Sequence, residues 1–162
     1  MVKKTVLWIL IIACAAAIFF FSSQKANDSD KVSSGFIVRI VKMIDINKRL
    51  SDSDVVKIAE SMNSIVRVGA HFSIFGLLCF LVTLQFHQYD VVGGRLILYS
   101  VTTTFLYACS DELHQSFVPG RSSQLSDIIT DTSGALCGAL AAMIAIKVIR
   151  KIRLKRTSEN NL

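Results

Sequence analysis

The chain has 162 residues, 52% of them hydrophobic, and a formal net charge of +6. Apolar residues in long uncharged blocks exclude an ordinary soluble domain. Basic residues gathered at chain ends and beside those blocks, without interleaved aromatics, exclude a nucleic-acid partner.

Taken in chain order, the first expected element is a membrane span over about residues 5–21, from Thr5 through Trp8 to Phe19-Phe20-Phe21. A helix needs about 20 apolar residues to cross the hydrocarbon layer, and this stretch carries no charge. Trp8 suits an interfacial ring. Lys3 and Lys4 before an apolar run also resemble a signal peptide, and Leu10-Ile11-Ile12-Ala13-Cys14 loosely resembles a lipoprotein cleavage site. The apolar run continues past Cys14 to Phe21, further than a cleaved lipoprotein needs.

Residues 34–66 follow as an interfacial, amphipathic region. Ile37, Ile40, Val41 and Ile44 recur at helical spacing with Arg39 and Lys42 opposite, predicting a helix on the membrane surface. A second stripe runs through Val55, Ile58, Ala59, Met62, Ile65 and Val66, started by Ser51 and Asp54 in a capping-box pattern. An equally open reading packs both helices against the bundle. Three further spans are expected over about 69–86, 96–115 and 127–149, and Pro119 falls between the last two, where it costs no helical hydrogen bond. The fold class is therefore all-α, a bundle of four transmembrane helices in one membrane domain covering 1–162. The four cysteines, Cys14, Cys79, Cys109 and Cys137, fall one to each span, with no CxxC and no histidine at zinc spacing. Neither a disulfide framework nor a metal or other cofactor is expected.

The basic tail over 147–156 follows the last span with no intervening acid, whereas the first loop alternates its basic residues with Asp and Glu. The positive-inside rule then favours a multi-pass protein with both termini cytoplasmic. With four alternating spans, the end of the first, the start of the second, the end of the third and the start of the fourth share one side. Those places hold Ser22-Ser23-Gln24, then Arg67 and His71, then Asp111, Glu112, His114 and Gln115, and finally Pro119-Gly120-Arg121 leading to Asp127 and Asp131. The third span reaches only about 15 residues before Asp111, so its carboxylates sit at the membrane boundary, where charges are expensive unless paired. Asp111 with His114 and Gln115, Arg67 with His71, and Asp127 with Asp131 are three or four apart and share helix faces. Gly134 and Gly138 form a GxxxG in the fourth span, near the stripe of Asp127 and Asp131, which lets another helix approach closely and leaves room for a homo-oligomer.

Four blocks in order carry a family resemblance: Phe21-Ser22-Ser23-Gln24, Arg67-Val68-Gly69-Ala70-His71-Phe72, Asp111 to Arg121 (DELHQSFVPGR), and Asp127-Ile128 with Asp131-Thr132-Ser133-Gly134. With these blocks the chain resembles the VanZ-like family of bacterial membrane proteins over nearly its whole length. Val68, Phe75 and Asp131 stand where the family often carries Lys, Tyr and Asn. The resemblance implies a bacterial envelope protein linked to resistance to the lipoglycopeptide teicoplanin, and it supplies no mechanism.

Three functions are open on the residues. The leading expectation is a ligand-binding site at the outer membrane face made by Gln24, Arg67, His71, Asp111, Glu112, Gln115, Arg121, Asp127 and Asp131. Arginine forks match phosphate geometry, and the start of the fourth span adds a favourable partial charge for an anion. The partners would be membrane lipids, a lipid-linked cell-wall intermediate or the lipoglycopeptide itself. The second is an intramembrane hydrolase or transferase acting at a lipid head group, with Asp111 or Glu112 as general base and His71 or His114 as acid or metal ligand. The third is a polar clamp in which these charges only fasten helix ends together. A transporter fits less well, because no inverted repeat or broken apolar segment is visible.

Overall fold

The computed structural model describes residues 2–24, 26–45, 50–121 and 123–159. The chain order is α1 (Val2–Ser22), α2 (Ala26–Ile44), α3 (Asp52–His87), α4 (Gly94–Gln115) and α5 (Leu125–Glu159), with no strand among the described residues. The all-helical class follows from the sequence, and each expected span lies within one of these helices.

Two helices run much further than the apolar blocks suggest. The second amphipathic stripe and the second span, expected as separate elements, form the single 36-residue α3. Nothing breaks it: the only proline lies elsewhere, and Gly69 sits in open space where its missing side chain leaves no void. At ~1.5 Å per residue α3 is about 54 Å long, so its first half overshoots the length of a bilayer crossing. Ser51 caps its start by accepting a hydrogen bond from the Asp54 amide at 3.2 Å. At the other end Asp90 adopts φ 62°, and its amide and that of Val91 bond back to His87 and Phe86, closing a Schellman-type stop. The basic tail, expected beyond the fourth span, continues α5 as helix to Glu159.

α2 packs on the first half of α3 through Ile37, Val55 and Ala59, all buried, while Met43 and Ile44 stay exposed. Lys42 reaches Asp52 at 2.9 Å, an exposed ion pair that ties the end of α2 to the start of α3. The expected amphipathic region at 46–49 lies outside the described residues.

α1, α3 and α5 are long and apolar enough to cross a membrane, over Lys4–Ser22, Asp52–His87 and Leu125–Ser158. α4, expected as a span over 96–115, has the length but is diluted by Ser100, Thr104, Ser110, Asp111 and Glu112. Its hydroxyls are made compatible with an apolar setting by bonding the preceding turn, Ser100 to the Leu96 carbonyl at 2.7 Å and Thr104 to that of Ser100 at 3.0 Å.

The bundle is centred on α3 and α5. A side chain at Gly134 would collide with the Phe72 carbonyl, and one at Gly138 with the Gly76 carbonyl. Ala135, Ala139 and Ala142 are buried along the same region of α5. The small-residue stripe is thus occupied within the chain by α3. Phe75 and Leu78 of α3, Ile18 of α1 and Ala108 of α4 form the adjoining core. Trp8 donates to the Tyr89 hydroxyl at 3.4 Å, and Lys4 lies 4.3 Å above the Tyr89 ring, which fixes the start of α1 beside the α3–α4 turn.

Candidate functional site

The opposite end of the bundle gathers the polar groups. α1 ends there with Ser22, whose hydroxyl donates to Asp111 Oδ2 of α4 at 2.8 Å, deep in the protein. One helical turn on, the Gln115 amide donates to the same oxygen at 2.9 Å. The Gln115 carbonyl oxygen then accepts from Arg121 at 2.8 Å, and the second guanidinium nitrogen of Arg121 reaches the Phe21 carbonyl at 3.3 Å. A chain of bonds therefore runs from the carboxylate to the guanidinium through a hydroxyl and an amide.

The backbone explains why Arg121 turns back. After α4, the Arg121 amide bonds to the Val118 carbonyl at 3.1 Å, with Pro119 and Gly120 between them and Gly120 at φ 82°. Proline then glycine at positive φ is the signature of a type II turn, and glycine supplies the conformation that other residues resist.

Ile18, Phe21, Ser22, Gln24, Arg67, Ala70, His71, Ile74, Phe75 and Arg121 enclose a cavity of about 260 Å³. Its polar rim is Gln24, Arg67, His71 and Arg121, above an aliphatic and aromatic floor. Arg67 is half-buried and forms no hydrogen bond or ion pair among the described residues. His71 lies with Nδ1 3.4 Å from Asp131 Oδ1, and its ring stacks over Phe75 with centroids 6.3 Å apart. Asp131 is 0% exposed, and neither of its carboxylate oxygens has a hydrogen-bond partner among the described residues. A second, narrow recess joins Arg67 and His71 to Asp127 and Thr130.

Of the ten residues singled out from the sequence, four line the cavity directly: Gln24, Arg67, His71 and Arg121. Asp111 and Gln115 stand behind them, buried, and position Ser22 and Arg121. Asp131 backs His71, and Asp127 borders the narrow recess. Glu112 and His114 go elsewhere. Glu112 is 1% exposed and accepts the Gln124 backbone amide at 2.9 Å, just before α5 begins. The start of α5, expected to attract a ligand anion, is thus already occupied by a carboxylate of the chain. His114 stacks on Phe19 with centroids 4.4 Å apart and bonds Ser23 at 3.0 Å, on the outside of α1. Ile18, Phe21, Ser22, Ala70, Ile74 and Phe75 are the lining residues the sequence did not single out as site members. Ser22 and Ser23 are adjacent and alike in sequence, and only the bond from Ser22 to Asp111 separates them. Tyr107 also escaped notice, although its hydroxyl ties α4 to the Ala15 carbonyl of α1 at 2.7 Å.

The chemistry available is that of two guanidiniums and an imidazole over an apolar floor, suited to an anionic group attached to a hydrocarbon body. Among the described residues no group of three or more His, Cys, Asp or Glu is placed to hold a metal ion. No curated protein and no solved structure matches the chain. A family model described as VanZ/LLP1 matches residues 7–147 and takes in the blocks that build the cavity. The chain is therefore a membrane protein belonging to the VanZ/LLP1 family.

Proposed function

We propose that the protein crosses the membrane four times, through α1, α3, α4 and α5, as one envelope-membrane domain. Its cavity then binds the anionic head of a lipid-linked or amphipathic ligand at the outer face. The start of α1 and the basic tail lie at the end of the bundle away from the cavity, beside Tyr89 and His87 respectively. The positive-inside rule then puts both termini in the cytoplasm and the cavity outside. α2 and the first half of α3 form an outer, interfacial arm.

The observation that carries the binding reading is Arg67: a half-buried guanidinium on the cavity wall without a partner among the described residues. A charge in that setting is costly unless a ligand supplies the opposite sign. Arg121 shares the wall but is already bonded to Gln115 and Phe21, which makes Arg67 the cleaner probe. Ligands of the right chemistry are a phospholipid head group, a lipid-linked cell-wall intermediate or a lipoglycopeptide. Resistance to teicoplanin is the matching phenotype. In a teicoplanin-sensitive strain expressing the chain, Arg67→Gln should remove any protection while leaving the amount of protein in the membrane unchanged. Protection that survives Arg67→Gln contradicts the binding reading.

A second reading, hydrolysis or transfer at a lipid head group, is favoured by His71 and Asp131. The buried carboxylate beside Nδ1 is suited to orienting the imidazole and supporting its positive form, as a general base requires. The base and acid in that reading are the His71–Asp131 pair, because Asp111, Glu112 and His114 do not line the cavity. His71→Gln then stops turnover of a cavity lipid while Arg67→Gln weakens its binding.

A further inference from the structure

The end of the bundle remote from the cavity carries a different feature. α5 has 35 residues against 22 in α4, so it projects past the α3–α4 turn by several helical turns. The projection and the turn enclose a groove of about 600 Å³. Its walls on the membrane side are apolar: Leu84 from α3, Leu96 from α4, and Met143 and Ile146 from α5. Its outer rim is His87, Lys147, Arg150 and Arg153. No Asp or Glu lines it, and neither Lys147, Arg150 nor Arg153 is paired with an acid among the described residues. His87 Nδ1 is buried there with no hydrogen-bond partner among the described residues.

Lys147, Arg150 and Arg153 recur about one helical turn apart and so lie along one side of α5, with Met143, Ile146, Ile149 and Leu154 lining the groove beside them. Lys151 and Arg156, equally part of the tail, do not line the groove. All five of these cations are exposed, but only Lys147, Arg150 and Arg153 border the apolar slot. A soluble anion has no use for the slot, and a neutral lipid has no use for the rim.

We propose that this groove is a binding site for the phosphate head of an anionic glycerophospholipid drawn from the surrounding leaflet, its acyl chains lying along Leu84, Leu96, Met143 and Ile146. Arg150 and Arg153 take the phosphate, Lys147 and His87 flank it, and the lipid fastens α5 to the α3–α4 turn.

The test uses the full chain purified in neutral detergent and doped with phosphatidylglycerol or phosphatidylcholine, with bound lipid counted by native mass spectrometry. The wild-type chain should retain one phosphatidylglycerol in preference to phosphatidylcholine. The double variant Arg150→Gln, Arg153→Gln should lower that retention on the order of tenfold, since each removes a cation from the phosphate. The equal-charge control Lys151→Gln, Arg156→Gln should leave it unchanged. Met143→Trp, which fills the slot without touching charge, should also displace the lipid. Equal losses in the two double variants would reduce the feature to diffuse attraction by the tail. Phosphatidylcholine retained as well as phosphatidylglycerol, full retention in Met143→Trp, or displacement of the lipid by millimolar inorganic phosphate would each overturn the site.

Discussion

The two ends of the bundle handle charge in opposite ways. At the cavity end, Asp111, Glu112 and Asp131 are buried on helices that pack together, and each has a neighbour within the chain: Ser22 and Gln115, the Gln124 amide, and His71. At the tail end, Lys147, Arg150 and Arg153 are exposed on the rim of the groove between α5 and the α3–α4 turn, and no acid is paired with them among the described residues. Buried charge couples site to fold, because removing one partner strands the other in a medium that solvates it poorly. Exposed charge leaves the fold alone and acts only on what approaches it. The first end should therefore be fragile and the second tolerant.

The largest effect is expected at His71. His71→Ala strands Asp131 and should destabilise the protein by about 3–5 kcal/mol, the usual cost of breaking a buried pair. Thermal unfolding in detergent measures this, and the double variant His71→Ala, Asp131→Ala should recover part of the loss, as coupled neighbours do. Next comes Ser22→Ala, which removes the donor to Asp111 Oδ2 and should cost about 1.5–3 kcal/mol, a hydrogen bond to a charged group. Gly138→Ala forces α5 off the Gly76 carbonyl and should cost about 1–3 kcal/mol, the usual range for overpacking. The smallest effect belongs to the tail: Arg150→Gln should shift stability by no more than about 0.5 kcal/mol in lipid-free detergent. A loss at Arg150 as large as that at Ser22 would erase the distinction between the ends.

Much of this was legible in residue order. Alternating spans force Ser22 to Gln24, Arg67, the Asp111 block and Arg121 to one end, and contacts such as Ser22 to Asp111 and Arg121 to Phe21 join them there. The GxxxG of α5 announced a close helix crossing, and Gly76 and Phe72 of α3 supply the facing backbone. Helix boundaries were less legible. Apolar periodicity marks the stripe at the start of α3 but not its fusion with the span that follows, and it falls silent where α5 continues as an exposed, basic helix. The division of the polar residues into cavity wall and support was hidden as well. Spacing places Asp111, His114 and Gln115 on one face of α4, but only the packing of α1 turns Asp111 toward Ser22 and leaves His114 against Phe19.

The central claim is that the end of α1 and the turn before α5 share one membrane face, opposite the α3–α4 turn. Single cysteines at Gln24, Ser123 and Tyr89, each introduced after replacement of the four native cysteines, can be tested in intact cells with a membrane-impermeant maleimide. Gln24→Cys and Ser123→Cys should react from outside, and Tyr89→Cys only after the membrane is opened. Labelling of Gln24→Cys and Ser123→Cys from opposite sides would contradict the shared cavity.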